Sequence, residues 1–457
     1  MSTATPSATT SGDGAPDIQV ADDSVVEKTV TSARLRSWWH VPAALTALAV
    51  LALLLLVPSV PRGAATAIGL ARAGELNPAH LIPSSFGLPT LGTVAVLMTL
   101  CLAIAGVVWW GQARPGTLAP RTKLALQIAF AALWVLGFLV WAFARATLDI
   151  GSLLQTMLAL AVPLAFGAMS GVLSERAGVV NIAIEGQLLF GAFGAALVGS
   201  LTGSVWLGLL AAPVVALVIG ALLALFAVGY HVQQIIVGVV LNMFAVGLTS
   251  FFFGTVMTQD PGHFNTPLRL PNIRIPLLAD IPVIGRVLFD QSILVYLMWV
   301  LVAVLTVALF RTRWGLRVRA VGEHPKAADT VGINVAKTRW SNVLLGSAVA
   351  GLGGATLTLG TGVAFGENMS AGKGYIALAA MILGRYHPVG ALAAALMFAF
   401  TDALQLRLGT LPAGQGAVGF PSEILLMLPY VVTIFAVAGV VGRVRVPAAD
   451  GIPYIKQ

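Results

Sequence analysis

The stretch SERAGVVNIAIEGQ, from Ser174 to Gln187, places two glutamates, an arginine, an asparagine and a glutamine between strongly apolar runs. A carboxylate in such surroundings costs several kcal/mol unless it is paired or wet. Glu185 therefore has two readings. With Asn181 and Gln187 it could line a water-filled pathway and hydrogen-bond the hydroxyls or a base edge of a passing solute. It could equally pair with Arg176 or cap a broken helix end. Gln233 and Gln234 open a later apolar run and Asn242 lies in its middle. Neutral amides can orient an uncharged polar solute without a net charge to desolvate, and they serve equally well as hydrogen bonds between helices. Asp402, with Thr401 and Gln405, sits nearer the end of its run and reads as structural.

Reaction chemistry finds little support. A phosphate-cradling loop needs G-x-x-x-x-G-K-[ST], and the nearest approach is GENMSAGKG, Gly366 to Gly374. It has one residue too many before Gly372 and Lys373, and Gly374 replaces the metal-ligating hydroxyl. The six histidines are scattered without ligand spacing, there is no G-x-S-x-G elbow, and the lone Cys101 permits neither a disulfide framework nor a thiolate metal site. No catalytic residue, metal or cofactor is expected.

The elements that would position these side chains are membrane helices. The chain of 457 residues is 58% hydrophobic and only 10% charged, whereas roughly a quarter of a soluble protein is charged. Its net charge of +8 is spread over the ends of apolar runs rather than along one face, so it argues for topology and against nucleic acid. The fold class is an all-α, polytopic transmembrane bundle of about 11 to 12 hydrophobic segments, from Val41–Val57 to Ile424–Val441. One run, Tyr375–Gly384, is too short to cross and suggests a half-helix. The polar stretch at 174–187 suggests an interrupted helix, tolerable only when buried in protein or lining a wet cavity. Small residues at four-residue spacing, among them Gly167 and Gly171 and Gly346, Ala350 and Gly354, allow close helix approach.

The order along the chain is a disordered cytoplasmic tail (1–37), an extension of three transmembrane helices (38–147), a transmembrane domain (148–442) and a C-terminal cytoplasmic tail (443–457). Residues 311–340, RTRWGLRVRAVGEHPKAADTVGINVAKTRW, form the only long polar insertion that is also heavily basic. The excess of Arg and Lys assigns this loop to the cytoplasm, with phospholipid headgroups as the partners of Arg311, Arg313, Arg317 and Arg319. Within it Pro325 suits a first helical turn, Ala327 and Ala328 favour helix, and Gly332 suits a stop, which predicts a short helix from about Pro325 to Val331.

Four segments together resemble the permease subunits of ATP-binding-cassette importers for nucleosides and simple sugars, the branch served by basic-membrane-protein lipoproteins. They are Ser174–Gln187, QQIIVGVVLNMFAVGLTSFFFG (Gln233–Gly254), GLRVRAVGEHPKAADTVGI (Gly315–Ile333) and GYIALAAMILGRYHPVGALAAALMF (Gly374–Phe398). The resemblance covers about Leu148 to Val441 and leaves the first three spans unmatched. It implies a channel half without chemistry of its own in a bacterial cytoplasmic membrane. Its partners would be a cytoplasmic ATPase, a second homologous permease subunit (a copy or a cousin) and an extracytoplasmic substrate-binding lipoprotein. The ATPase would grip a coupling helix corresponding to Glu323, Pro325, Ala327, Ala328 and Gly332. The match to the wider Glu-Ala-Ala loop of importers is partial, since His324, Pro325 and Lys326 separate Glu323 from the alanines. Two other transport readings stay open: a branched-chain amino-acid permease, and an ion-coupled secondary transporter using a carboxylate such as Glu185 or Asp402.

Overall fold

Apolar stretches of 19 to 27 residues with few charges leave the backbone no partner in a membrane except itself, and they fold accordingly as helices. The structure, a computed structural model, describes residues 39–69, 85–114, 116–281, 283–411, Met427 and 445–456. In chain order the helices begin with α1 (His40–Ser59), α2 (Thr90–Ala113), α3 (Pro120–Ala142), α4 (Ile150–Arg176) and α5 (Ile184–Thr202). They continue with α6 (Val205–Ala224), α7 (Gln234–Phe252), α8 (Ile293–Arg311), α9 (Arg313–Glu323) and α10 (Pro325–Thr330). The last three are α11 (Val335–Ala355), α12 (Lys373–Leu383) and α13 (Pro388–Gly409). Among the described residues ten of these are long and apolar enough to cross a membrane, α9, α10 and α12 being too short. The predicted run Ile424–Val441 lies, apart from Met427, outside the described residues, as does the expected tail 1–37.

The chain divides into two units. The smaller, residues 1–64 and 89–141, holds α1, α2 and most of α3 around Ala49, Cys101, Ala105 and Phe130. Indole donors tie it together, Trp109 to the Thr46 hydroxyl at 2.9 Å and Trp141 to the Ser59 hydroxyl at 2.8 Å. The larger unit, residues 65–88 and 142–457, contains everything from α4 onward. Residues 65–69 and 85–88, between α1 and α2, group with the larger unit. There strand β1 (Ala65–Gly69) lies between β2 (Ser85–Pro89) and β3 (Thr147–Asp149) and pairs in parallel with β3, Ile68 opposite Leu148. A second small sheet pairs β4 (Asn272–Arg274) antiparallel with β5 (Asp290–Ser292).

At the centre of the larger unit α4 packs against α11, α12 and α13, and α5 against α6 and α11. The small residues make this possible. A side chain at Gly354 would strike the Leu188 carbonyl at 2.1 Å, and one at Gly351 the Ala212 carbonyl at 2.5 Å. Gly167 and Gly171 face Ala377 and Met381 of α12 in the same way. The half-helix expected from Tyr375–Gly384 is α12, eleven residues long. The interrupted helix expected at 174–187 is instead a buried seven-residue turn, 177–183, joining two full spans.

Candidate functional site

Asn181, Glu185, Gln187, Gln234 and Asn242 converge around the turn between α4 and α5, whereas Asp402 lies apart on α13. Asn181 and Gln187 are fully buried and face each other, with the Gln187 Nε2 donating to Asn181 Oδ1 at 3.3 Å and the Asn181 Nδ2 to Gln187 Oε1 at 3.2 Å. Two hydroxyls of α4 complete the knot: Asn181 Nδ2 also donates to Ser170 and Ser174, each at 3.2 Å. A mutually satisfied amide pair can stay buried where a lone amide could not.

Helix α7 grips the same turn along one stripe. Gln234 Oε1 accepts the Val180 amide at 2.7 Å, and eight residues later Asn242 Oδ1 accepts the Gly186 amide at 2.8 Å while its Nδ2 donates to the Ile182 carbonyl at 2.9 Å. Between them Gly238 has no side chain because one would meet Ile182 at 2.8 Å. Amide, glycine, amide at i, i+4 and i+8 on a helix is a sequence signal that periodicity alone does not separate from packing. Asn242 Nδ2 also donates to the Tyr375 hydroxyl at 3.1 Å, and Tyr375 is about half exposed. The Gln234 Nε2 is buried without a protein acceptor.

Glu185 does not pair with Arg176, whose Nε donates to the Tyr386 carbonyl at 2.9 Å and whose Nη2 donates to that of Arg385 at 3.4 Å. Its carboxylate closes the start of α12. One oxygen accepts the Ser370 hydroxyl at 2.6 Å and the Gly372 amide at 2.7 Å; the other accepts the Gly374 amide at 2.6 Å. Three donors at a helix N-terminus satisfy a buried anion, and the helix dipole adds to them. The glycine-rich GENMSAGKG loop, which falls short of a phosphate loop, therefore forms an anion nest filled by the chain's own glutamate. Gly374 has to be glycine, since a Cβ would lie 2.4 Å from the Glu185 amide. Ser370 and Tyr375 were not singled out in the sequence, and Gly372 was weighed only for a phosphate loop: their distance from Glu185 along the chain hides the contact.

The basic loop folds into α9 and α10. Thr312 caps α9 by accepting the Gly315 amide at 3.2 Å, and Gly315 turns the α8–α9 corner where any side chain would strike the Ala308 carbonyl. The predicted short helix is α10, with Pro325 at its first turn and Gly332 beyond its end at φ +84°. Ala328 is buried against Val321 and Val335, whereas Glu323, Lys326, Ala327, Thr330, Val331 and Gly332 are exposed. Beside them an open groove of about 850 Å³ is bordered by Arg313, Arg317 and Lys337. Among the described residues no cluster of His, Cys, Asp and Glu could hold a metal ion.

Ten apolar helices among the described residues, close packing through small residues and an irregular polar turn enclosed by protein define a polytopic helical membrane protein. The chain belongs to the family described as branched-chain amino acid transport system / permease component, whose model matches residues 153–437. It is 38% identical over 307 residues to the guanosine ABC transporter permease protein NupQ of Bacillus subtilis, covering 65% of this chain and 94% of that one. It is also 38% identical over 314 residues to the nucleoside ABC transporter permease protein NupC of Lactococcus lactis, covering 67% and 97%. Similarity to the putative glucose ABC transporter permease protein TsgC13 of Haloferax volcanii is 34% over 260 residues, 56% of this chain and 77% of that one. No solved structure matches. The chain is thus an ABC transporter permease, a multi-pass protein of the bacterial cell membrane and not an enzyme.

Proposed function

We propose that this permease forms the translocation pathway of an ATP-driven importer for a nucleoside or simple sugar, with hydrolysis supplied by a separate ATPase that docks on α10. The observation that carries the substrate class is the near full-length similarity to permeases named for guanosine and nucleosides, joined by one named for glucose. An exposed short helix set between two spans supports the docking, because it offers the compact ridge that a groove on a partner can receive. The proposed assembly adds a second permease subunit and an extracytoplasmic substrate-binding protein.

The buried polar turn enters this reading as the frame of the pathway. Asn181, Gln187 and Glu185 have their hydrogen-bonding capacity largely taken up within the protein, so they fix the walls. Asn242 through the Tyr375 hydroxyl, and Gln234 through its free Nε2, retain groups for an uncharged polar solute. Reconstitution with the ATPase and partner subunit, followed by uptake of labelled nucleoside, glucose and leucine, tests the proposal. ATP-dependent accumulation of nucleoside or sugar is expected; leucine alone, or uptake driven by an ion gradient without ATPase, would refute it.

A further inference from the structure

The last described segment, Val446–Lys456, runs back across the end of the bundle from which α10 projects and touches three separate elements there. It meets α9 where the Ala448 amide donates to Glu323 Oε2 at 3.2 Å and the Ala449 amide to the Gly322 carbonyl at 2.8 Å. It meets α10 where the Tyr454 hydroxyl donates to Asp329 Oδ2 at 3.0 Å and Lys456 Nζ to Asp329 Oδ1 at 3.4 Å. It meets α11 through Arg339, only 2% exposed, whose Nη1 and Nη2 donate to the Ile452 and Ala449 carbonyls at 2.8 and 3.3 Å. An arginine buried in a membrane protein requires such acceptors, and here the strap supplies them from its backbone.

The same segment reaches the polar turn. The Asp450 carboxyl comes close enough to the Glu175 carboxyl and the Tyr386 hydroxyl for the three to act on one another electrostatically. Asp450 Oδ1 is buried without a hydrogen-bond partner among the described residues, a cost that falls when one of the two acids is protonated. Gly178, at φ +85°, has no room for a side chain because Arg339 and the Ala449 carbonyl lie 2.9 and 3.1 Å from where its Cβ would sit. Gly451 abuts Val180, the residue before Asn181.

We propose that Val446–Lys456 is the transmission element of the permease, linking the ATPase-docking helix α10 to the α4–α5 turn that frames the pathway. This rests on the docking assigned to α10 above. One end is fixed to Asp329 and the other keyed between Glu175, Arg339 and Gly178, so a displacement of α10 is carried to the turn through a few hydrogen-bonded residues. Without the strap α10 keeps only its packing of Ala328 and its own turn, and the turn at 177–183 loses the acid partner of Glu175.

The experiment compares the full chain with a variant ending at Arg445 and with Tyr454→Phe, which removes one hydroxyl and leaves the fold intact. Hydrogen exchange on the permease alone, without ATPase, should show α10 and residues 177–183 exchanging about tenfold faster in the truncated variant and less so in Tyr454→Phe, with α13 unchanged. In the reconstituted importer, solute moved per ATP should fall severalfold while basal hydrolysis persists. Unchanged exchange in α10, or an unchanged transport ratio in the truncated variant, overturns the proposal. Ala328→Pro separates the two readings: if that variant still recruits the ATPase, the docking assignment fails whatever the exchange data show.

Discussion

Glu185 meets three donors with two oxygens at the start of α12, and a substitution there distinguishes holding the wall from touching the solute. Glu185→Gln turns an NH₂ toward donors and removes a charge-assisted contact, which should cost about 1.5–3 kcal/mol. The expected result is a lower melting temperature in detergent with reduced transport, the complex remaining assembled; a raised KM with an unchanged melting temperature would instead mark direct solute contact. Asp450 yields a pH dependence. Burial is the main influence pushing its carboxyl up to about 7, against the opposing effects of the Glu175 hydrogen bond, Arg339 and the Gly451 amide. The docked strap therefore favours the protonated acid, whereas a released strap carries an ordinary aspartate near 3.9. Docking is strongest below the ordinary aspartate range and weakens as pH rises through about 7, after which it levels off. The groups facing this acid pair are Arg339 on α11 and Tyr386 after α12, whose hydroxyl burial and the two carboxylates push upward, with Arg176 of α4 and Glu323 of α9 one step further out. Strap exchange, corrected for intrinsic rates, should accelerate between about pH 4 and 7, and Asp450→Asn should flatten that dependence.

Among the elements, α10 was legible because proline and glycine mark its ends whatever surrounds it, and its bounds differ from the prediction by one residue. The inward turn of Ala328 was not legible. Alanine suits either face of a helix, and only the apposition of Val321 and Val335 decides between them. Ala328→Pro removes the amide that donates to the His324 carbonyl at 2.9 Å and costs about 3 kcal/mol or more locally. Insertion in the membrane should persist while co-purification of the ATPase is lost. Ala327→Ser, on the exposed side, should leave α10 folded and change ATPase affinity only slightly. The 174–187 stretch was recognisable as polar and buried, but not as a turn between two full spans. Apolar content is the same in either arrangement, and what distinguishes them is Asn181 and Gln187 closing on each other over a six-residue gap.

For the whole molecule, the helical spans were legible because a membrane leaves so few backbone solutions, and the small-residue stripes correctly marked close packing. The contacts made by residues more than a hundred positions apart were not, since no local pattern ties Glu185 to Gly374 or Asp329 to Tyr454. Orientation is a property of the entire chain, set by where its 26 Lys and Arg fall. The proposal needs α9, α10 and the strap on the ATP-containing side, because a cytoplasmic motor cannot grip a helix that faces outward. Ala327→Cys reports on this directly: it is exposed, while the native Cys101 is fully buried in its helix. An impermeant maleimide should fail to label Ala327→Cys in intact cells and should label it after permeabilisation, with assembly of the ATPase protecting it. Labelling in intact cells would place the docking helix, the basic loop and the strap outside together and leave the conduit without an engine.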